Sequence, residues 1–258
     1  MSVKLISSWT QAGGSTRAHI ALTNLLNSNG IDCTFYGPQD WHLDKCKGAP
    51  LSDAAISPAD VLISHFIQVP SEVEAKKHIL YCHEKDLFPL KNIPLPQYDL
   101  VVFVSNSQKK WHAINHPSVI IPPVVDTLKW KNPNNGVAGV IGSIDYNKQT
   151  HKSIRRAIKD GYDKVLLFGD VTDMPYFNRS VANFINAGKA TLAGHQDDRE
   201  AMYGEISQVY HTSLSETFGL VEAECRLAGI PYNGPSYDPN ILEDEEIFRR
   251  WEKIINYQ

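Results

Sequence analysis

Short, continuous apolar runs alternate with segments of helical periodicity along most of the chain. In the first half these runs are VKLISSW, CTFYG, DVLISHF, HILYCH and DLVVFVS. They lack the strict polar–apolar alternation of half-exposed strands, and such runs are typical of parallel strands covered on both faces. Between the first two runs, leucines and alanines recur at helical spacing after Ser15, which is a good N-cap, and end near Gly30. The alternation predicts an α/β fold.

The same alternation restarts after a stretch that suits neither element. Residues 119–126, VIIPPVVD, hold two prolines, which do not suit an internal strand, and the polar stretch KWKNPNNG follows. Strand-like GVAGVIGS, KVLLFGD, ATLAGH and QVYHTS then alternate with helical segments, among them 148–159 and 176–188. We therefore predict one domain over residues 1–123 and a second over 124–238, with two α/β sheets facing each other across a cleft. A last helix is expected within 239–258, beginning near Asp238 and Pro239.

Composition excludes several classes of protein. The formal net charge of -4 over 258 residues gives no global electrostatic case for binding nucleic acid or a membrane. No apolar run approaches the roughly 20 residues that span a bilayer, and the N-terminus does not have the pattern of a signal peptide. The four cysteines form no CxxC pair, so reduced thiols in a cytoplasmic protein are expected and a zinc site is not.

Two acids bracket an apolar helical segment in SLSETFGLVEAECRLAGIP, residues 213–231. Glu216 is expected at the carboxyl end of a strand, the edge where open α/β sheets bind ligands. Gly219, near the start of the next helix, would let a ligand approach backbone N–H groups that favour anions. Glu224 lies about 10 Å further along, which is wide for two carboxylates acting on one bond. The acids would hydrogen-bond different hydroxyls of one extended ligand, or be solvated surface acids.

This stretch resembles the signature of retaining glycosyltransferases of family 4, which have the GT-B fold. The family motif E-x-F-G-L-x-x-x-E, followed by a helix of small residues and G-x-P, is matched at Glu216, Phe218, Gly219, Leu220, Glu224, Gly229 and Pro231. Further similar segments follow the family's order: the pair Gly13 and Gly14, ILYCHE, VSNSQKKW, IIPPVVD, GVIGSIDYNKQ, LLFGD and TLAGHQDDREAMY. The resemblance implies two Rossmann-like domains facing across a cleft, with the C-terminal helix packing back toward the N-terminal, acceptor-side domain.

The resemblance also implies a role for each matching residue. Glu216 would contact the donor sugar, Lys148 would neutralise the diphosphate leaving group, and His83 would line the acceptor side. Glu224 would accept hydrogen bonds from the nucleotide ribose. The other positions expected on the donor side are Gly13, Gly14, Ser143, Gly169, His195, Phe218, Gly219 and Leu220. No protein nucleophile, metal ion or cofactor is implied beyond the nucleotide-sugar itself.

Two departures from the family pattern concern the phosphates and the acceptor. The family's phosphate-binding arginine is Ser143 here, and the glycine after the lysine is Gln149. Lys152, Arg155 or a residue of the other domain would have to substitute for the arginine. The chain is also shorter than a typical member, mainly in the half that shapes acceptor choice.

Other residues have both a binding and a structural interpretation. His65 and His195 follow strand-like runs and could line the site or be satisfied core histidines. Lys109 could attract an anionic acceptor, and Trp111 could stack on a base or a sugar. The basic set Lys152, Arg155, Arg156 and Lys159 could do the same or be a solvated helix face. A hydroxymethylated DNA base is thus a conceivable acceptor, although the acidic net charge counts against it.

We predict a hexosyl- or pentosyltransferase that moves a sugar, with retention, from a nucleotide-sugar donor to an acceptor hydroxyl on a saccharide, a lipid-linked acceptor or DNA. The alternative is a non-catalytic module that binds nucleotide-sugars or carbohydrates with the same fold. A third hypothesis, a nucleotide-sugar epimerase of this fold, requires no acceptor.

Overall fold

The computed structural model describes residues 1–8, 13–38, 42–65, 72–84 and 95–256. The described strands are β1 (Ser2–Ser7), β2 (Asp32–Gly37), β3 (Gly48–Pro50), β4 (Ala59–His65), β5 (Ala75–Cys82), β6 (Leu100–Phe103), β7 (Ser118–Ile120), β8 (Val137–Ile141), β9 (Lys164–Phe168), β10 (Ala190–Leu192), β11 (Gln208–Tyr210) and β12 (Tyr232–Asn233). The described α-helices are α1 (Gly14–Ser28), α2 (Asn106–His112), α3 (Thr150–Lys159), α4 (Met174–Ser180), α5 (Ala182–Asn186), α6 (Arg199–Gly204), α7 (Leu220–Ala228) and α8 (Asp244–Asn256). None of these helices combines the length and apolar character needed to cross a membrane.

The chain divides into two compact units. The first contains Met1–Val124 together with Asn240–Gln258, and the second contains Val125–Pro239. Each unit has its own sheet of parallel strands. The predicted α/β class is therefore confirmed.

The first unit is built on a seven-stranded sheet in the order β3-β2-β1-β4-β5-β6-β7. Its central strands are buried almost throughout, as their continuous apolar runs predict: Leu5, Ile63 and Ile79 are fully buried. The helix α8 belongs to this unit. Its Trp251 packs edge-on against Tyr81, with ring centroids 5.0 Å apart, and Lys77 donates a hydrogen bond to the carbonyl of Ile254 over 2.7 Å.

The second unit is built on a five-stranded sheet in the order β10-β9-β8-β11-β12. One side of its core contains Val140, Ile154 and Tyr176, and the other contains Phe168, Tyr203 and further buried residues. Since β8 lies between β9 and β11, the segments that follow these three strands meet at one edge of the sheet.

Some predicted boundaries differ from the structure. The helix predicted over 176–188 is two helices, α4 and α5, which meet at Val181 with φ -114°. The last helix begins at Asp244, where three acids occupy the first turn and interact favourably with the helix dipole, rather than near Asp238. The helix predicted from Lys148 begins at Thr150, because Gln149 has φ 51°. Two predicted strand ends, Trp9 and Phe66, lie outside the described residues.

Candidate active site

The turns that follow β8 and β9 pack closely at the carboxyl edge of the second sheet. The backbone N–H of Gly142 donates to the carbonyl of Phe168 over 2.9 Å, and that of Gly169 donates to the carbonyl of Gly194 over 2.9 Å. Gly169 has φ 141°, and a Cβ there would lie 2.2 Å from the carbonyl oxygen of Gly142. Only glycine fits at this position, so the turns after β8 and β9 can approach each other this closely.

Lys148 and Glu216 form an ion pair at this edge. The Lys148 ammonium donates to Glu216 Oε1 over 2.5 Å, and the side chains are 23% and 16% exposed. The same carboxylate oxygen lies 3.0 Å from Nε2 of His211, the residue that follows β11. Two of the residues that the family resemblance assigns to the chemistry are thus in direct contact.

This environment keeps the Glu216 carboxyl ionised. Burial by itself would raise its pKa, but the Lys148 ammonium and the hydrogen bond from His211 outweigh burial and lower the pKa from 4.5 to about 2. A permanently negative group with some solvent access can stabilise positive charge that develops on a nearby ligand.

Asp145 organises the loop that holds Lys148. Its Oδ1 accepts from the backbone N–H of Lys148 over 2.8 Å, and its Oδ2 accepts from the Ser143 hydroxyl over 2.5 Å. Ser143, which stands where the family that the sequence resembles has an arginine, therefore bonds a carboxylate in this structure. This loop supplies one cation, Lys148, to the sheet edge.

The helix α7 begins at Leu220, directly after Gly219. Gly219 has φ 84°, and a Cβ there would lie 3.1 Å from Cβ of Tyr237. Among the described residues no side chain caps this N-terminus, whereas the neighbouring Phe218 is buried in the unit. The first backbone N–H groups of α7 follow Glu216 closely in the chain and have the arrangement that binds anions at helix starts.

Tyr237 and Glu222 fix the segment that covers this helix start. The Tyr237 hydroxyl donates to the carbonyl of Ser213 over 2.6 Å, and its N–H donates to Glu222 Oε2 over 2.7 Å. Glu222 is buried on α7, and its other oxygen accepts from Arg226 and Ser236. The acid inside the motif therefore has a structural function.

Glu224 lies in a different environment from Glu216. It is 1% exposed, and its Oε2 accepts from both the Arg199 guanidinium and the Tyr203 hydroxyl. Arg199 belongs to α6 and is itself 14% exposed. The structure thus pairs Glu224 with an arginine, and its role toward a ribose stays a prediction.

His195 follows β10 on the same unit. Its Nε2 lies 3.1 Å from Asp197 Oδ1, and the two side chains are 35% and 47% exposed. The pair is accessible to a ligand, and no described contact joins it to Glu216.

In the first unit, the predicted residues His65, the last residue of β4, and His83, which follows β5, lie together with ring centroids 5.3 Å apart. His19 of α1 completes a cluster with them, at 4.5 Å from His65 and 5.0 Å from His83. His65 Nδ1 lies 2.9 Å from the Ser7 hydroxyl, and its Nε2 lies 2.9 Å from Glu84 Oε1. Within the described part of the chain, both ring nitrogens of His19 and Nε2 of His83 are buried without a hydrogen-bond partner.

His19 and His83 are held neutral. Burial lowers the pKa of His19 well below 6.5, and the neighbouring His65 and His83 lower it further. Burial and the neighbouring His65 do the same to the pKa of His83. A neutral imidazole has one nitrogen that donates a hydrogen bond and one that accepts a hydrogen bond.

The remaining predicted residues of the first unit are not in contact with this cluster through any described hydrogen bond. Gly13 is the N-cap of α1 and Gly14 its first residue, and 9–12 lie outside the described residues. Lys109 donates to the carbonyl of Ser118 over 3.0 Å, and Trp111 is 41% exposed on α2. In the second unit, Lys152, Arg155, Arg156 and Lys159 form an exposed face of α3.

Sequence reasoning missed His211, Asp145 and Arg199. His211 follows an apolar run, a position where the sequence also fits a core histidine. Asp145 and Arg199 lie in similar segments of the family resemblance, but outside its signature positions. Only the contacts of the folded chain assign them to the surroundings of Lys148, Glu216 and Glu224.

No protein-family model matches the chain, and no curated protein matches its sequence. Solved structures do match its fold. HepE of Anabaena, solved with UDP and glucose, has a TM-score of 0.69 at 13% identity, over 99% of this chain and 90% of its own. The pneumococcal O-GlcNAc transferase GtfA, solved with UDP and GlcNAc, has a TM-score of 0.68 at 10% identity, over 99% and 91%. WaaG, a glycosyltransferase involved in lipopolysaccharide biosynthesis, has a TM-score of 0.64 at 11% identity, over 100% and 91%. The chain therefore has the GT-B glycosyltransferase fold.

Proposed function

We propose that this protein is a glycosyltransferase that moves a sugar from a nucleotide-sugar donor to an acceptor hydroxyl, with retention of the anomeric configuration. The observation that carries the proposal is the contact of Lys148 with Glu216 at the carboxyl edge of the second sheet. This edge is where ligands bind in open α/β sheets. The start of α7 adds backbone N–H groups suited to phosphates.

Each charged group has a task in this reaction. As the bond between sugar and diphosphate breaks, positive charge grows on the sugar and negative charge grows on the leaving phosphate. The ionised Glu216 carboxylate stabilises the first, and the Lys148 ammonium stabilises the second. The acceptor hydroxyl attacks the face from which the diphosphate departs, and the leaving phosphate takes its proton. Positioning and electrostatics then account for the rate.

The proteins of similar fold indicate which donors to test first. HepE was solved with UDP-glucose, and GtfA with UDP and GlcNAc. We therefore propose a UDP-hexose as the donor, and we include no metal ion or cofactor. For the acceptor we propose a molecule that offers a hydroxyl group, with His83 on the acceptor side as the family resemblance implies. The four cysteines are free, which agrees with a reducing compartment such as the cytoplasm.

Incubation with a panel of nucleotide-sugars, with and without saccharide, lipid-linked and hydroxymethylated DNA acceptors, tests the proposal. We expect release of a nucleoside diphosphate and a product heavier by one sugar residue in mass spectrometry. A product with inverted configuration would contradict the proposed stereochemistry. Donor that changes into an isomer without an acceptor would indicate an epimerase.

A non-catalytic module that binds nucleotide-sugars is the second candidate. Ser143 stands where the family that the sequence resembles has an arginine, and its hydroxyl donates a hydrogen bond to Asp145. Glu224 forms an ion pair with Arg199. Saturable binding of a nucleotide-sugar with no release under any acceptor would favour this candidate over the enzyme.

A further inference from the structure

We infer that His211 is a positioning residue that holds the Glu216 carboxylate while Lys148 is engaged with the diphosphate of the donor. The inference rests on the proposed function. It assigns a task to a histidine outside the motif and accounts for how one lysine can serve two anions.

Lys148 and His211 contact the same oxygen of Glu216. Oε1 accepts from the Lys148 ammonium and also lies 3.0 Å from His211 Nε2. A bound diphosphate carries more negative charge than a single carboxylate and competes for the lysine. When Lys148 turns toward it, Glu216 keeps His211 as its partner.

Lys148 can make this movement. Its side chain is 23% exposed and passes over Gly142, where a Cβ would lie 3.5 Å from Lys148 Cε. An ammonium on a flexible four-carbon stem can turn from one anion to another without displacing the backbone. The neighbouring Ser143 carries no positive charge. The phosphates would therefore attract the Lys148 ammonium more strongly than in a site where an arginine also binds them.

The side chain of His211 is more restricted than that of Lys148. Its side chain is 5% exposed, and its backbone N–H donates to the carbonyl of Asn233 over 2.9 Å. The rings of Tyr232 and Tyr237 lie 6.2 and 5.9 Å from the imidazole. Tyr237 is anchored in turn by its hydrogen bonds to Ser213 and Glu222.

In this contact His211 is the hydrogen-bond donor and the ionised Glu216 carboxylate is the acceptor. An ionised carboxylate only accepts, so His211 Nε2 carries the hydrogen of this bond. The hydrogen bond favours the charged form of Glu216 and fixes its orientation. Glu216 would therefore remain negative and aimed at the sugar after Lys148 has moved to the phosphates.

The first test needs neither a ligand nor activity. Lys148→Met removes the ammonium and represents the state in which the lysine has left. We would titrate the Glu216 carboxyl by ¹³C NMR in Lys148→Met and in Lys148→Met/His211→Leu. We expect the midpoint to be higher in the double variant by about one pH unit or more, because burial then acts without an opposing donor. Equal midpoints in two folded variants would overturn the inference.

The second test uses donor turnover. His211→Leu should lower kcat at least about tenfold and leave the donor KM within about threefold, because the loss affects the sugar in the transition state rather than donor binding. His211→Gln, which restores an N–H donor near the Nε2 position, should recover most of kcat. Unchanged kcat in His211→Leu, or a loss that His211→Gln does not reduce, would contradict the inference.

The two tests separate this inference from the proposed function. If the wild-type protein releases no diphosphate from any donor, the proposed enzyme fails, while the ¹³C titration still decides whether His211 holds Glu216. If the wild type is active and both His211 variants match it, the enzyme stands and the inference fails. Thermal unfolding of every variant confirms that it folds.

Discussion

Lys148 and Glu216 are 68 residues apart in the sequence and are joined by a hydrogen bond of 2.5 Å. Lys148 lies in the loop after β8, and Glu216 lies in the segment after β11. The two strands pair in parallel in the second sheet, through Gln208 with Ala138 and Val209 with Gly139. Because neighbouring parallel strands end at the same edge, the topology itself brings the two charges together.

Replacement of Glu216 should separate catalysis from binding. We expect Glu216→Ala to lower kcat by about two orders of magnitude or more, because the charge that stabilises the sugar is lost. The donor Kd should change less than about tenfold, which calorimetry measures. Glu205→Gln, at an exposed acid of the same unit, serves as the control and should change neither value. Equal, negligible effects of Glu216→Ala on kcat and Kd would remove Glu216 from the site.

Gly169→Ala should be strongly destabilising. The new Cβ would overlap the carbonyl oxygen of Gly142 at 2.2 Å, where the backbone cannot yield easily. We expect the free energy of unfolding to fall by about 3 kcal/mol or more in urea denaturation.

Gly161→Ala is the matched control, since Gly161 has φ 95° but a Cβ there would have no atom of the described residues within 4 Å. It should cost only about 1 to 2 kcal/mol, from backbone strain. If both substitutions cost the same, the close approach of the two turns is not as the structure has it.

Glu224 and Arg199 should be strongly coupled in stability. Removing either partner leaves the other charge largely buried, so we expect Glu224→Ala to cost about 3 to 5 kcal/mol. The double replacement Glu224→Met/Arg199→Met should recover much of this loss. A double-mutant cycle measured by chemical denaturation checks the coupling.

The exposed pair Glu245 and Arg249 on α8 provides the comparison, with side chains 80% and 60% exposed. Its coupling should be too small to resolve. A coupling of similar size in both pairs would mean that burial does not distinguish Glu224 from a surface acid. If Glu224→Ala weakens donor binding without loss of stability, Glu224 is available to the ribose after all.

Stability should fall as the pH is lowered below 6.5. The folded protein holds His19 and His83 with pKa values below that of a free histidine, so only the unfolded chain takes up these protons near pH 6. The stabilisation is complete above pH 6.5 and is lost as the pH falls, by up to about 1.4 kcal/mol per pH unit for each histidine. Urea denaturation between pH 7.5 and pH 5 measures this slope.

His19→Leu should reduce that slope, because one of the suppressed protonations is gone. The free energy of unfolding of the variant minus that of the wild type should be about 2 kcal/mol higher at pH 5 than at pH 7.5. Parallel slopes for wild type and variant would show that His19 titrates alike in the folded and unfolded chains.

The fold was accessible from the sequence because its strands are buried on both faces. Runs such as those around Leu5 and Ile63 are apolar without interruption, and parallel strands require that pattern. The position of Glu216 at a strand end was predicted by the same reasoning, whereas the assignment of Lys148 to the diphosphate came from the family resemblance. Element boundaries were less accessible: Val181 interrupts a continuous helical pattern, and nothing in the residues around it marks the break.

The surroundings of the site were not accessible, because they depend on contacts between distant residues. Arg199 and Glu224 are 25 residues apart, and neither spacing nor composition indicates that they pair. A histidine at the end of a buried strand, such as His211, fits a core position as well as a site. The departure at Ser143 was visible in the sequence, but its bond to Asp145 required the structure.

We propose that the edge formed by Lys148 and Glu216 promotes cleavage of a nucleotide-sugar. ³¹P NMR follows this reaction directly, with a UDP-hexose and an acceptor mixture incubated with wild type and with Lys148→Met. We predict that wild type converts the donor's diphosphate signals to those of free UDP, and that Lys148→Met does so at least about a hundredfold more slowly. Equal rates of UDP release from wild type and a folded Lys148→Met variant would contradict the account.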